Sequence, residues 1–240
     1  TYSLMAQRIY GRPINKKTDP TERFVGKSAT LGCGFGCGWK KFKGMVLADA
    51  KKYGIVLDDT SDTFFERVVN TYREANPMVR RFWKEAEVAI NHMLVGGSGY
   101  IGKYRYVGNK VYLPRGIPLT FANLRREFDP RTGRNEVMYD RYNPNKGRTA
   151  TVKLWYGLLV ENIVQATARD VFVNCLHNCE SGGYYAVGSV HDELLFLVPE
   201  NEVETAMKDL YHLMCIPPDW LDNCPLDSEL NFGDNYHEAK

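Results

Sequence analysis

The sequence has no long apolar run, no internal repeat, no low-complexity tract and no large excess of charge of either sign. None of its apolar runs approaches the roughly 20 residues that span a bilayer, and the first residues do not have the pattern of a signal peptide. These absences predict a soluble, cytoplasmic protein with no membrane partner. A chain of 240 residues can form one large domain or two small ones with a proper core, so its stability does not require disulfides or a structural metal.

The net charge of +2 neither requires nor excludes a nucleic-acid partner. A duplex is held by local clusters of arginine and lysine that displace counterions from phosphates, so the positions of the cations matter more than their sum. The candidate cations are Arg80, Arg81, Arg125, Arg126, Lys146, Arg148 and Lys153. Such runs also occur on ordinary solvated faces, and the sequence leaves both interpretations open.

The six cysteines raise the question of a zinc site. Cys33 and Cys37 are spaced by four residues, as are Cys175 and Cys179, and His177 lies inside the second pair. Structural zinc sites favour tighter knuckles than these, and the two pairs fall in a glycine tract and at a helix end. We therefore expect free thiols in a reducing compartment.

Helical spacing and end signals predict that the first two thirds of the chain are mostly helical. Asp19, Pro20 and Glu22 form a helix start, with a carboxylate N-cap, a proline at the first helical position and an acid three residues after the cap. Further helices are predicted at 39–53 with Gly54 as C-cap, from Ser61 or Asp62, from Asn76 and Pro77, at about 152–176, and around Val203, Met207 and Leu210. The aromatic stripe with Phe82 and Trp83 is interpreted as core.

Short strands are predicted in two places. Between residues 96 and 144, glycines, tyrosines and alternating residues favour short strands and loops. Further on, apolar runs at 184–190 and 194–198 flank His191, Asp192 and Glu193. If these runs are antiparallel strands, the trio occupies the tip of a hairpin and projects its acids into a cleft.

The acids of that trio indicate a metal site. Carboxylates between apolar runs should not be buried without compensation, because desolvating a lone carboxylate is costly. A divalent cation would offset this cost, and Mg²⁺ prefers one or two carboxylates together with substrate phosphates. The alternative, an exposed polar turn, remains open from these three residues alone.

A second pattern is a stripe of four side chains on the helix that Asp19 opens. Arg23, Lys27, Leu31 and Phe35 are spaced by four residues and so share one face. Two cations followed by an apolar and an aromatic residue would suit a nucleoside triphosphate laid along the helix, with its phosphates on the cations. The alternative is two solvated cations above a buried leucine and phenylalanine.

The stripe runs into a glycine-rich segment, residues 32–38, with four glycines at alternate positions. Each glycine costs up to about 1 kcal/mol in a helix interior, so the helix must stop or hinge here. The bare backbone also permits close approach of a base or another chain. Gly26-Lys27-Ser28 resembles the end of a phosphate-binding P-loop, but that motif requires a glycine where this chain has Thr21.

Several ordered motifs together resemble family A DNA polymerases of the bacteriophage type. Residues 23–27 and 31–36 resemble the nucleotide-binding fingers helix of that family, and Val190-His191-Asp192-Glu193 is similar to its last palm motif. Residues 159–166 resemble its palm helix. The matching segments of the fingers are Asn76-Pro77, Phe82-Trp83 and Val111-Tyr112-Leu113-Pro114. The order and spacing of these motifs agree over nearly the whole chain.

The resemblance implies an α+β fold with right-hand polymerase architecture, formed by helical fingers and the C-terminal part of an antiparallel-sheet palm. Residues 1–148 would form the fingers subdomain, with a short segment at 1–15 leading in from the palm, and residues 149–240 would form the C-terminal part of the palm. The thumb and any exonuclease domain are expected to be absent.

The resemblance also implies a role for each site residue. Asp192 would be a metal ligand, Glu193 a weaker one, and two Mg²⁺ ions would bind there. Arg23 and Lys27 would hold the incoming dNTP, with Lys27 also protonating pyrophosphate, and Leu31 and Phe35 would complete its pocket. The residues implied to contact primer-template DNA are His191, Gln165 and Gly36.

Three departures from the family pattern qualify these implications. Leu31 replaces an aromatic residue that senses the sugar in many members, so sugar discrimination does not carry over. Phe35 replaces a tyrosine, which keeps the stacking surface and loses the hydroxyl. The first palm motif, with an Asp on which both metal ions depend, is missing. We therefore expect a DNA-directed DNA polymerase piece that is inactive without an N-terminal partner polypeptide supplying that Asp.

Two other function classes remain open from the sequence. A non-catalytic DNA-binding accessory subunit would bind primer-template, and Asp192→Ala would leave the assembled activity intact. A P-loop nucleotide hydrolase would turn over ATP without DNA and lose that activity on Lys27→Ala.

Overall fold

The structure is a computed structural model and describes residues 1–130, 132–221 and 223–239. The chain forms two compact units, described separately below. They are Thr1–Tyr112 with Pro118–Ile163, and Leu113–Ile117 with Val164–Lys240. The division into fingers at 1–148 and palm at 149–240 stays a prediction, and its last residue, Lys240, lies outside the described residues.

The first unit begins with five α-helices. They are α1 (Tyr2–Tyr10), α2 (Pro20–Cys33), α3 (Trp39–Tyr53), α4 (Asp62–Ala75) and α5 (Pro77–Leu94). The predicted ends of α3 and α4 are confirmed. Gly54 ends α3 in the left-handed region with φ 66°, and the hydroxyl of Ser61 accepts a hydrogen bond from Phe64 N at 3.2 Å to cap α4.

The start of α2 is confirmed at Pro20, but the predicted capping arrangement is wrong. The Asp19 carboxylate makes no cap hydrogen bond to the helix. It accepts instead from Asn15 N at 2.8 Å and from the Arg12 guanidinium at 2.8 Å, and Arg12 also pairs with Glu22. A charged donor in the preceding loop therefore outcompetes the helix amides for both acids.

The core of the first unit lies among these helices and the strands that follow. Phe42, Phe65 and Val68 are completely buried, and Phe42 meets Phe65 edge to face at 6.0 Å between ring centroids. The interpretation of the α5 stripe as core is confirmed, since Trp83 is buried and Phe82 packs partly buried against the same cluster.

Two antiparallel sheets complete the first unit, as predicted for the region after residue 96. The four-stranded sheet has the order β1 (Ser98–Ile101), β2 (Tyr104–Val107), β3 (Lys110–Tyr112), β4 (Pro118–Thr120). The three-stranded sheet has the order β5 (Ala122–Asp129), β6 (Arg134–Asn143), β7 (Arg148–Lys153). In its register Arg126 lies opposite Val137 and Met138 opposite Lys153.

The predicted start of the long helix near residue 152 is wrong. Val152 and Lys153 belong to β7, and the helix, α6, runs from Tyr156 to Ser181. Pairing of β7 with β6 over six residues fixes this segment as a strand, and two of those residues are threonines that favour β structure.

The second unit contains most of α6, the hairpin β8 (Ala186–Val190) and β9 (Glu193–Phe196), and α7 (Val203–Met214). Asn178 on α6 donates to the carbonyl oxygens of Leu213 and Ile216 at 3.2 Å each and so ties α6 to the end of α7. None of the helices in the described part of the chain has the length and apolar character needed to cross a bilayer.

Candidate active site

The cationic side chains of α2 lie above α1, and Gly26 allows the two helices to approach closely. A Cβ atom at Gly26 would lie 2.5 Å from the carbonyl oxygen of Tyr2 and 2.8 Å from Cβ of Ala6. Only glycine therefore fits at this crossing. The close approach places the ring of Tyr2 beside the same face of α2 that carries Arg23 and Lys27.

Arg23 and Lys27 both lie over the Tyr2 ring. The guanidinium carbon of Arg23 is 5.7 Å from the ring centroid, and Nζ of Lys27 is 6.0 Å from it. Each distance is within the range of a cation–π interaction, which orients a cation without neutralising its charge. The two cations thus share one aromatic support and can offer their charge to a common anion.

Leu31 continues this face one turn further on and is 57% exposed. The alternative of a buried leucine under two solvated cations is therefore wrong. Leu31, Arg23 and Tyr2 line an open pocket of about 530 Å³ together with Lys16 and Thr30. An exposed apolar side chain beside cations can contact the apolar part of a ligand whose anionic part binds the cations.

Phe35 does not extend the stripe as a helical residue, because α2 ends at Cys33. It is half-buried in the turn that follows, where Gly36 adopts φ +78°. The predicted hinge or stop in the glycine-rich segment is confirmed. The P-loop interpretation is wrong, because Gly26-Lys27-Ser28 lies inside α2 and not in a loop before a helix.

Contacts from distant parts of the chain hold the glycine-rich segment in place. The indole nitrogen of Trp83 donates to the carbonyl oxygen of Gly34 at 3.0 Å, and the Arg73 guanidinium reaches that of Cys37 at 3.4 Å. Gly36 lies against Tyr156, since a Cβ there would be 2.6 Å from the tyrosine ring. The sequence shows Trp83 and the four glycines, but it does not show that they contact one another or Tyr156.

The cysteines are free and partly to fully shielded from solvent. Burial raises the pKa of the Cys33 thiol to about 12 and that of Cys179 to about 11, and it also raises the pKa of Cys37 and Cys175. Such thiols stay protonated at neutral pH, which makes them poor nucleophiles. The expectation of free thiols agrees with this arrangement.

In the second unit, the predicted hairpin is confirmed, with a tip formed by His191 and Asp192. Val190 pairs with Glu193, so Glu193 is the first residue of β9 and not part of the turn. His191 adopts a positive φ of 57°, a conformation in which histidine is enriched among non-glycine residues. Nδ1 of His191 lies 3.4 Å from the Asp192 carboxylate.

The premise that these acids are buried is wrong. The side chains of His191 and Asp192 are 89% and 85% exposed. Glu193 is also exposed and accepts a hydrogen bond from the Tyr236 hydroxyl at 2.6 Å. The apolar runs on either side misled the prediction, because the strand residues Val187 and Val190 are themselves exposed, at 63% and 45%. No desolvation cost therefore needs to be offset at this tip.

The donor set at the tip still suits a hard divalent cation. Asp192 and Glu193 supply carboxylate oxygens, the ligand type that Mg²⁺ prefers, and Asp192 is freely accessible. Within residues 1–130, 132–221 and 223–239, no group of three or more potential ligand side chains could hold a metal ion. Ligands from outside this group, such as substrate phosphates, would have to complete the coordination sphere.

The remaining residues predicted to contact DNA lie in both units. Gln165 lies exposed on α6 in the second unit. Among the candidate DNA-binding cations, Arg81 pairs with Glu85 at 2.8 Å and Arg125 with Asp140 at 3.1 Å, which reduces their charge available to phosphates. Gly36 is buried against Tyr156, so its predicted DNA contact has no support from exposure.

Comparisons with known proteins place these features in context. No protein-family model matches the chain. Over 98% of its length the chain is similar to a DNA polymerase of Bacillus phage SP02, at 28% identity over 242 residues. Among solved structures, the POL domain of Pol1 from M. smegmatis, in complex with DNA primer-template and dNTP, matches 99% of the chain with a TM-score of 0.60 and 17% identity.

The resemblance drawn from the motifs is thus confirmed, since the chain is similar to part of a phage DNA polymerase over nearly its whole length. The α+β fold class is confirmed as well, since the chain has the fold of part of a polymerase domain. The chain spans 36% of the phage polymerase and 34% of the Pol1 chain.

Proposed function

We propose that this chain takes part in template-directed DNA synthesis, by deoxynucleotidyl transfer to a primer 3′-hydroxyl with a two-metal mechanism. The observation that carries the proposal is the exposed face of α2, where Arg23 and Lys27 share the Tyr2 ring and Leu31 stands open to solvent. The similarity to a phage DNA polymerase over 98% of the chain supports it.

The α2 face would bind the triphosphate of the incoming dNTP. Arg23 and Lys27 would contact the phosphates, because cations held on one aromatic ring can approach a common polyanion at little entropic cost. Leu31 would contact the apolar parts of the nucleotide, and Phe35 would offer a ring for base stacking. Lys27 would also donate a proton to the departing pyrophosphate.

The acids at the hairpin tip would hold magnesium. Asp192 would be a direct ligand and Glu193 a weaker one, with the coordination completed by phosphate oxygens and an Asp from another polypeptide. Two Mg²⁺ ions held there would supply Lewis-acid activation of the primer hydroxyl and would offset the negative charge on pyrophosphate. His191 and Gln165 would contact the primer terminus and the minor groove of the primer-template DNA.

A partner polypeptide is part of the proposal. The chain covers about a third of its phage relative, and we propose that an N-terminal polymerase piece supplies the first palm Asp and the thumb. The chain alone would then be inactive. The phage relative also supports the host cytoplasm as the place of action.

The test is primer extension with purified proteins. The chain alone should give no extended primer, and mixing with a polypeptide that carries the first palm motif should restore extension. Asp192→Ala should abolish the restored activity, while Glu204→Ala, which removes an exposed acid on α7 of the same unit, should leave it unchanged.

Two results would contradict the proposal. Extension by the chain alone would remove the need for a partner. Restored extension that survives Asp192→Ala would favour a non-catalytic accessory subunit, in which primer-template binding is the function of the chain.

A further inference from the structure

A hydrogen bond joins the hairpin tip to the segment that follows α7. The hydroxyl of Tyr236 donates to Oε2 of Glu193 at 2.6 Å, and both residues belong to the second unit. The neighbouring Asp192 lies 3.4 Å from Nδ1 of His191, the residue just before it, and is 85% exposed. The two acids of the tip thus differ, because Glu193 is held by a distant part of the chain.

Tyr236 is presented by a closed turn. The amide oxygen of Asn235 accepts from N of His237 at 3.1 Å and from N of Glu238 at 3.2 Å. The amide nitrogen of Asn235 also donates to the Glu238 carboxylate at 2.6 Å. Gly233 lies so close to the turn that a Cβ there would be 2.7 Å from Cβ of Glu238. These contacts fix the backbone that carries the Tyr236 ring.

A second anchor holds the segment nearer to α7. The hydroxyl of Tyr211 on α7 donates to Oδ1 of Asp227 at 3.1 Å, and N of Ser228 donates to the same oxygen at 3.0 Å. The path from α7 to Tyr236 is thus held at two points. The Tyr236 hydroxyl therefore reaches Glu193 from a supported position and not from a free chain.

The hydrogen bond changes how the Glu193 carboxylate can bind a cation. An exposed glutamate loses rotamer freedom when it ligates a cation, and this loss weakens binding. Because Oε2 accepts from Tyr236, part of that freedom is lost before any cation binds. Oε1 can then act as a ligand through one oxygen. Hydrogen bonds of this kind orient ligating carboxylates and raise the affinity of metal sites.

We propose that Tyr236 is a positioning residue for Glu193, holding its carboxylate by Oε2 and leaving Oε1 to ligate a divalent cation together with Asp192. The inference rests on the proposed function, in which both acids bind Mg²⁺, and it adds the segment after α7 to that site. A bond that only ties the segment to the hairpin would stabilise the unit and would not change the affinity for a cation. This difference separates the two roles in an experiment.

The test titrates the full ¹⁵N-labelled chain with Mn²⁺ and follows the paramagnetic broadening of the amide signals of Asp192 and Glu193. Tyr236→Phe removes the hydroxyl and keeps the ring. Half-maximal broadening in this variant should require about ten times more Mn²⁺ than in the wild type, the lower end of the loss expected for a hydrogen-bond partner of a metal ligand.

The matched control is Tyr184→Phe. It also removes a tyrosine hydroxyl that donates to a carboxylate, that of Asp209 at 2.8 Å, and Tyr184 precedes β8 at the end of the hairpin opposite to the tip. It should leave the Mn²⁺ response of the tip unchanged.

A double-mutant cycle tests whether Tyr236 acts through Glu193. In a Glu193→Gln background, which removes the charge of the ligand, Tyr236→Phe should cause no further loss of Mn²⁺ affinity. Circular dichroism identifies any variant that fails to fold. If Tyr236→Phe does not fold, Asn235→Ala decides the result, because it opens the turn, keeps the hydroxyl and should weaken Mn²⁺ binding by a smaller factor.

Any of three outcomes would overturn the inference: an Mn²⁺ response of Tyr236→Phe equal to that of the wild type, an equal loss in Tyr184→Phe, or a full effect of Tyr236→Phe in the Glu193→Gln background. Absence of broadening at the wild-type tip would overturn it too. Failure of the proposed function is distinct, because primer extension in the mixture with the N-terminal piece would then be absent while Tyr236→Phe still weakened Mn²⁺ binding.

Discussion

The α2 face and the hairpin tip differ in how their side chains are held. On α2, the position of Tyr2 beneath the cations depends on Gly26, and the turn after the helix is fixed by Trp83 and Tyr156. At the tip, His191 and Asp192 are 89% and 85% exposed and are positioned by a two-residue turn. The comparison teaches that the cationic face of α2 is formed by packing, whereas His191 and Asp192 are placed by the backbone turn.

The largest loss of stability is expected from Gly26→Ala, which tests the packing beneath the α2 face. The added methyl would overlap the backbone of α1, so we expect a loss of about 2–3 kcal/mol in the free energy of unfolding, measured by urea denaturation. Gly44→Ala is the matched control in α3, because nothing lies within 4 Å of a Cβ there. It should stabilise the chain by roughly 0.5–1 kcal/mol. Equal effects in the two variants would show that the helix crossing is not tight.

A somewhat smaller effect is expected from Gly36→Ala. The substitution combines a positive φ of 78° with overlap of the Tyr156 ring, so we expect a destabilisation of about 2 kcal/mol. Gly54 has a similar φ of 66°, and nothing lies within 4 Å of a Cβ there. Gly54→Ala should therefore lower the free energy of unfolding by only about 1 kcal/mol. The difference between the two unfolding free energies measures the contact with Tyr156, and no difference would contradict it.

At the hairpin tip, His191→Gly should stabilise the chain slightly. Glycine removes the steric cost of a positive φ, which is about 1 kcal/mol for a residue with a Cβ, while its greater freedom in the unfolded state offsets part of the gain. Asp192→Asn, by contrast, should change the unfolding free energy by less than about 0.5 kcal/mol, as for other exposed positions. A large loss in either variant would mean that the tip makes stabilising contacts.

The smallest change in stability is expected from a substitution of Asp19, in the loop before α2. Hydrogen bonds from Asn15 and from the Arg12 guanidinium lower the pKa of Asp19 below its ordinary value of 3.8. The Asp19 carboxylate therefore stabilises the fold above the pKa that it has in the unfolded chain. This stabilisation is lost as the pH falls through the lower pKa that it has in the folded chain. The melting temperature of Asp19→Asn should lie slightly below that of the wild type at pH 7, and the gap should narrow as the pH falls below 3.8. The exposed control Asp49→Asn should show no such gap.

Local signals in the sequence predicted much of the fold. The helices α3, α4 and α5 followed from their end residues, because Gly54, Ser61 and Pro77 act through their own backbone neighbourhood. The hairpin β8–β9 followed from two apolar runs separated by polar residues. The ordered motifs also indicated the family resemblance, since each motif combines a fixed spacing with a chemical requirement.

The errors arose where contacts from distant parts of the chain decide the structure. Asp19 binds Arg12 and Asn15 instead of capping α2, and Val152 joins a sheet through pairing with β6. The exposure of Asp192 could not be predicted from its apolar neighbours, because Val187 and Val190 are exposed too. The need for glycine at position 26 depends on the path of α1, which no local pattern reveals.

The contact between the turn after α2 and the start of α6 has a mechanical consequence. A Cβ at Gly157 would overlap the carbonyl oxygen of Phe35, so these two stretches of backbone touch directly. Any swing of α2 that displaces Phe35 must therefore push on residues 156 and 157 and shift the neighbouring indole of Trp155. A movement of α2 would thus be transmitted to the start of α6 through the backbone contact at Gly157 and through the packing of Gly36 against Tyr156.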